Sequence, residues 1–275
     1  MDWLWLLLLG FGTGVYGTLV GAGGGFILAP VLLIFFDIEP KVVVGTALAL
    51  VAISSLSGAQ AYRRMGLIDY RSGLLFAAAA LPGSVLGPFV VTQVAGDTFS
   101  ILFGILLVGI TVQLAMKPAE YQERPRNPDS NPGFAVRGRR IATVAGEVFE
   151  YRFNEALATS INIVLGFMSS FFGTGGGFIR TPLLISIFGF PVRIAVATSV
   201  FALSVYTLAG AATHAYLGHF DLYPTFVWAG IGLVAGSQVG AIVSTRVKNR
   251  WIVRLLVIVL FSLGISMLVQ GFVGV

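Results

Sequence analysis

Residues Gly21 to Pro30 read GAGGGFILAP and residues Gly173 to Pro182 read GTGGGFIRTP, one pattern repeated at an offset of 152. The register holds beyond the glycines: Thr46 falls on Thr198, Gly58 on Gly210, Gly66 on Gly218 and Asp69 on Asp221. After a slip of one residue, Gly83-Ser84 falls on Gly236-Ser237 and Gly87 on Gly240. Ordered coincidences of this kind mark an internal repeat, which decides the architecture before any single motif does. The chain divides into a first half, 1–116, a connector, 117–153, and a second half, 154–275.

Both halves are apolar. Of 275 residues, 56% are hydrophobic and 11% charged, with mean hydropathy +0.91; an ordinary soluble domain carries about 25% charge, so a water-soluble globule is excluded. Twelve of the 29 charged residues lie between Lys117 and Arg152, and most others stand in short gaps between apolar runs. The net charge of +5 is therefore a property of loops and not of a nucleic-acid surface. Apolar stretches fall at 3–20, 26–36, 42–62, 72–94, 98–116, 156–172, 178–189, 194–217, 222–245 and 252–273. Most approach the roughly 20 residues of a membrane-spanning helix. The stretches 26–36 and 178–189 do not: at 1.5 Å per residue they reach about 17 Å and cross only part of the bilayer. The expected fold is an all-α polytopic membrane protein of two inverted repeats, each a broken-helix hairpin followed by three transmembrane helices. Asp2 precedes the first apolar run, with no basic start and no small-residue cleavage site, so this segment reads as a retained membrane helix. The absence of cysteine excludes disulfides, thiolate metal sites and a cysteine nucleophile.

Sidedness follows from Lys and Arg, which accumulate in cytoplasmic loops. Arg63, Arg64 and Arg71 mark one loop, Lys117 through Arg152 a second, and Arg246, Lys248, Arg250 and Arg254 a third. The third shares a side with the others only if residues 156–189 enter and leave from one face. That makes 156–189 a hairpin and, by analogy, 3–36 another. Both termini then lie outside, 117–153 is cytoplasmic and the halves are inverted. The connector carries Pro118, Pro125, Pro128 and Pro132 and reads as a tether, disordered in its first part. Residues 141–153 alternate about Ala145-Gly146, as in a small β-hairpin.

Three consecutive glycines break a membrane helix, and irregular backbone is tolerated at that depth only where protein buries it or water fills a cavity. A short helix follows each break, so its free N–H groups and the positive end of its dipole point back at the glycines. Such ends hold anions, and paired breaks in corresponding positions mark the substrate site of many secondary transporters. The expected substrate-binding set is Gly23, Gly24, Gly25 and Phe26 in the first half with Gly175, Gly176, Gly177 and Phe178 in the second. Thr46, Thr198 and Ser199 on the following spans could supply hydroxyls, or bond backbone instead. Close helix packing is the alternative reading of small residues, and Gly10, Gly14 and Gly17 suit it. Arg180 stands well inside an apolar stretch where the first half has Leu28. At an insertion cost of about 2.5–3.5 kcal/mol it reads as an anion ligand, or as an anchor snorkelling to headgroups. Ser54, Ser55, Thr207 and Asn162 are further polar candidates, and His214 could carry a proton or simply be a satisfied interfacial histidine.

No Asp or Glu lies deep in an apolar run, so neither a carboxylate relay nor an acidic cation site is visible. Walker, HExxH and GxSxG motifs are absent. The chain therefore reads as a non-enzyme with no catalytic residue, cofactor or metal.

The twice-occurring G-x-G-G-G-F-I-x-x-P, each copy followed by a Thr- and Ser-bearing helix, resembles the TauE/SafE family of sulfite and organosulfonate exporters, also called the 4-toluene sulfonate uptake permease family. The resemblance covers both halves. It implies a multi-pass inner (plasma) membrane secondary transporter, an exporter of sulfur-containing oxyanions such as sulfite, sulfoacetate or other organosulfonates. It further implies alternating access by rocking of one half against the other. The partners would be the small anion, a coupling ion (proton or sodium) and the lipid bilayer, with no nucleic acid. An anion channel and a non-transporting membrane scaffold remain as alternatives, and direction and oligomeric state stay open.

Overall fold

Continuous apolar sequence interrupted by proline, glycine and a few capping residues dictates a bundle of helices. A computed structural model describes residues 2–35, 38–116, 136–244 and 249–273 of the chain. The stretch 117–135, where the connector was expected to be disordered, and the basic residues Arg246 and Lys248 lie outside the described residues. The first half gives α1 (Asp2–Val20), α2 (Gly25–Phe35), α3 (Pro40–Met65), α4 (Tyr70–Val91) and α5 (Gly96–Met116). The second gives α6 (Glu155–Phe172), α7 (Gly177–Ser186), α8 (Val192–Tyr216), α9 (Val227–Ser244) and α10 (Asn249–Val273). Between them lie β1 (Val136–Ala142) and β2 (Val148–Asn154). Seven helices among the described residues are long and apolar enough to span a bilayer, and α2 and α7, with 11 and 10 residues, are not.

Local chemistry sets the boundaries. Pro40 opens α3, and Gly66 ends it in a left-handed conformation at φ +71°. The Asp69 carboxylate caps α4 by accepting the Ser72 N–H at 3.1 Å, and Asn154 caps α6 by accepting from Leu157 at 3.0 Å. The apolar stretch 222–245 is not one straight helix. Leu222–Phe226 forms an irregular turn in which Tyr223 is extended, and α9 starts after it, because Pro224 disfavours helical backbone in the residue before it.

Glycine governs how the helices meet. Gly10 and Gly14 of α1 face the backbone of Ala229 and Leu233 on α9, and Gly232, Gly236 and Gly240 face back onto Leu7, Phe11 and Val15. The second half repeats this arrangement: Gly83 and Gly87 of α4 face Ile163, Phe167 and Phe171 on α6, and Gly166 faces Ala80. Lipid leaves little hydrophobic drive between helices, so close backbone approach supplies the attraction. In each case the first helix of one half is docked on the fourth helix of the other half. The central pair α3 and α8 runs antiparallel, with Gly45 against His219, Leu48 against Gly210 and Gly58 against Val200. Helices α5 and α10 are antiparallel too, Gly104 meeting Gly264 and Leu268 while Gly271 meets Ile101.

Two equivalent hydrogen bonds stitch the halves at the ends of the central pair. The Thr46 hydroxyl accepts the Asp221 N–H at 2.8 Å, and the Thr198 hydroxyl accepts the Asp69 N–H at 3.0 Å. The β-hairpin covers the Asp69 end. Its strands pair Arg139 with Tyr151, and Tyr151 and Phe153 lay their rings on Phe190 at 4.5 and 4.7 Å. The Tyr151 hydroxyl donates to Asp69 at 2.7 Å. Arg139 lies 3.4 Å from the same carboxylate and also pairs with Glu155.

Candidate functional site

The two glycine clusters adopt one backbone. Gly21, Gly23 and Gly24 have φ of +83°, +72° and +90°; Gly173, Gly175 and Gly176 have +69°, +79° and +70°. Only glycine enters this region without a steric penalty, so the first, third and fourth positions of each cluster are fixed by conformation. The fifth is fixed by space. A Cβ on Gly25 would lie 2.7 Å from the Gly173 carbonyl oxygen, and one on Gly177 would strike the Gly21 carbonyl and come within 2.8 Å of the Ala22 Cα. The two breaks therefore touch each other, and the next residues of the pattern, Phe26 and Phe178, stack with ring centroids 5.3 Å apart, both fully buried.

Carbonyls of both breaks are tied to the central helices by equivalent bonds. Ser54 of α3 donates to the Gly23 carbonyl at 3.0 Å, and Tyr206 of α8, its counterpart at the same offset of 152, donates to the Gly175 carbonyl. One turn earlier on α1 and α6 the pattern recurs: Tyr62 donates to the Thr18 carbonyl at 3.0 Å, and His214 contacts the Ser170 carbonyl through Nε2 at 3.0 Å. The amides present the opposite picture. Among the described residues, those of Gly24, Gly25 and Phe26, and those of Gly176, Gly177 and Phe178, make no hydrogen bond. They are the unsatisfied donors of a helix start.

The second break also carries a charge. Arg180, one turn into α7, is 1% exposed and donates from its own N–H to the Gly176 carbonyl at 3.1 Å. Its side-chain Nε donates to Asn162 Oδ1 at 2.6 Å, and its guanidinium lies 4.9 Å above the Tyr206 ring. Both terminal nitrogens are buried with no partner, and so is the Ser169 hydroxyl. Ser169 and Tyr206 both border Gly176. A guanidinium is a planar, permanent cation with a fork of donors suited to oxyanions, and no carboxylate among the described residues neutralises this one. At 1% exposure the guanidinium stays inside the described bundle and does not reach its outer surface, where a snorkelling side chain would end.

The remaining expected residues sit differently. Thr46 and Thr198 bond the cross-half amides described above, and Ser199 donates to the Gly21 carbonyl at 2.9 Å. Ser199 thus shapes the first break and the two threonines join the halves, whereas Arg180, beside the second break, keeps two terminal nitrogens without a partner. Tyr206, which places the ring under Arg180, was not among the expected residues. The repeat register pointed to it, since it occupies the position of Ser54. At one end of the bundle His214 and His219 approach through their Nδ1 atoms at 3.2 Å. Burial lowers the pKa of His219 below its ordinary value, with the Lys41 charge adding to this and Glu39 opposing it.

A family model described as "Sulfite exporter TauE/SafE" matches residues 6–267. The chain is similar to Probable membrane transporter protein YunE of Bacillus subtilis, 32% identical over 98% of this chain and 99% of that protein. It is also similar to a Probable membrane transporter protein of Methanocaldococcus jannaschii, 25% identical over 96% of this chain and 94% of that one. No solved structure matches.

Proposed function

The chain belongs to the sulfite exporter TauE/SafE family, a family of multi-pass membrane transporters, and from that premise we propose that it is a secondary transporter of a small sulfur oxyanion. The substrate class is sulfite, sulfoacetate or a related organosulfonate, moved in the export direction across the plasma membrane. The anion binds beside the second break, held by the Arg180 guanidinium and the free amides of Gly176, Gly177 and Phe178. The observation that carries this reading is Arg180 itself: a fully buried guanidinium with two unpartnered nitrogens and no counter-ion. An isolated charge in a low-dielectric interior costs several kcal/mol, a cost that a bound oxyanion removes.

The architecture is two inverted repeats, 1–116 and 154–275, with 117–153 as the cytoplasmic connector and both termini outside. The antiparallel contacts within each equivalent helix pair, α3 with α8 and α5 with α10, support a two-fold axis in the membrane plane. Rocking of one sequence half against the other needs amendment, because α1 is docked on α9 and α4 on α6. The bodies that move in alternating access are mixed, α1, α3 and α9 against α4, α6 and α8. The stacked Phe26 and Phe178 and the contact of the two breaks support a gated transporter over an open channel.

The test is counterflow in liposomes. Purified protein is reconstituted with unlabelled sulfoacetate or sulfite inside and labelled anion outside, with sulfate, thiosulfate and taurine as competitors. Saturable exchange is expected, with competition that ranks the substrates. Absence of exchange, together with absence of thermal stabilisation by every one of these anions, would transfer the weight to a scaffold.

A further inference from the structure

The chain has two histidines in 275 residues, and they touch. His214, in the last turn of α8, has no exposed surface; His219, in the loop beyond it, retains 5%. Their Nδ1 atoms lie 3.2 Å apart, and His214 Nε2 lies 3.0 Å from the Ser170 carbonyl oxygen. A carbonyl only accepts, so His214 Nε2 must carry hydrogen, and in the neutral ring its Nδ1 is then a lone pair. The hydrogen in the Nδ1–Nδ1 contact therefore belongs to His219, whose own Nε2 is left as the basic atom.

Resting on the transporter reading above, we infer that His214 and His219 form a one-proton site whose occupancy is coupled to anion binding. A proton arrives at His219 Nε2. Passage of the Nδ1 proton across the contact then leaves His219 neutral with its hydrogen on Nε2, and His214 a cation donating from Nε2 to Ser170 and from Nδ1 to His219. One proton enters and both ring contacts are kept. A second proton would place like charges in contact and is resisted. The charged groups around the pair are Glu39 and Lys41, joined to each other at 2.8 Å, and Asp221 two residues beyond His219; α6 presents the Ser170 carbonyl. Burial and Lys41 lower the proton affinity of His219, and a further negative charge nearby would raise it.

The link to the anion site runs through two elements. His214 lies on α8 eight residues past Tyr206, about 12 Å at 1.5 Å per residue, and Tyr206 underlies Arg180 and holds the Gly175 carbonyl. Ser170 stands next to Ser169 on the α6 turn that ends at the second break. A proton on His214 thus adds positive charge on the helix that frames the anion, and by linkage each favours the other.

The test uses sulfoacetate and methanesulfonate, which stay ionised from pH 5.5 to 8.5 and carry no proton of their own. Affinity is read from thermal shifts across that range, and histidine ring 15N spectra are recorded on the same protein. With two histidines in the chain, every ring signal belongs to the pair. Expected are uptake of one proton shared by both rings and sulfonate affinity rising at least about fivefold from pH 8.5 to 5.5. His214→Gln and His219→Gln should each abolish the pH dependence while binding at pH 8.5 persists. Equal pH dependence in the variants, two independent titrations, or no titration in the spectra overturns the coupling. Failure of both sulfonates and of sulfite to bind at any pH sinks the transporter reading instead, and the spectra still decide the proton site.

Discussion

Replacing Arg180 by leucine, the residue its repeat counterpart Leu28 already is, separates the cost of burying the charge from its use. In the empty protein the change relieves the insertion penalty of about 2.5–3.5 kcal/mol. It gives up the charged bond to Asn162, worth about 1.5–3 kcal/mol, and the contact with the Tyr206 ring, worth about 2 kcal/mol. These contributions nearly cancel, so empty Arg180→Leu should unfold within about 2 kcal/mol of the parent. The bound state has no such compensation. Removing one partner of a buried ion pair costs about 3–5 kcal/mol, which at about 1.4 kcal/mol per decade is roughly two to three and a half decades in Kd. The assay is thermal unfolding in detergent with sulfoacetate titrated over four decades of concentration. The parent should show a saturating rise in Tm, and the variant none until concentrations at least about a hundredfold higher. Arg180→Lys, which keeps the charge and loses the planar fork, should fall between. A leucine variant that binds within threefold of the parent would refute the assignment of the anion to Arg180.

Three further outcomes are expected. Gly177→Ala forces a methyl against the Gly21 carbonyl and Ala22, so thermal stability should fall by about 3 kcal/mol or more, whereas Gly109→Ala, which meets nothing within 4 Å, should stay within about 0.5 kcal/mol. Burial, and then the neighbouring Asp69, raises the pKa of the Tyr151 phenol. The folded chain therefore keeps a proton that the unfolded chain gives up above about pH 10, and the stability that Tyr151 contributes is complete below that pH and lost as pH rises further; tryptic cleavage of the hairpin at Arg139 and Arg140 should accelerate there, and Tyr151→Phe should remove that step. In a chain with no cysteine of its own, Tyr216→Cys should react with an impermeant maleimide added outside intact cells and Arg64→Cys should not. The reverse labelling would invert the assigned sidedness.

The helices were legible because bilayer thickness ties each to a length, and the two that fell short announced themselves as α2 and α7. The β-hairpin was legible from alternation about Ala145-Gly146, and β1 and β2 extend it by several residues at its first strand. The glycine clusters fixed where the chain breaks, since three positions in each need positive φ. What they did not disclose is that the breaks would press on each other, with unpartnered side-chain donors of Arg180 beside the second of them. Pairing between distant segments depends on side chains meeting across the bundle, and periodicity carries no record of that. Arg180 stood out by its cost, whereas Asn162 was one polar candidate among several and Tyr206 was not singled out, because an amide and a phenol in an apolar run look alike whether they serve a cation or a backbone carbonyl. Thr46 and Thr198 were noticed for their equivalence, and that equivalence serves the ends of the central helices, where each accepts a backbone amide from the opposite half.

The docking of α1 on α9 carries a consequence for biosynthesis. Helix α1 is complete at Val20, and its partner begins at Val227; at about 5–20 residues per second, roughly 10–40 s of translation separate them. Throughout that interval the glycine face of α1 stands in lipid without the surface shaped to receive it, while α4 waits only until α6 emerges at Glu155. A nascent chain released anywhere before residue 227 leaves α1 permanently unmated, and membrane quality control would meet it as an orphan helix, however well the earlier segments had inserted.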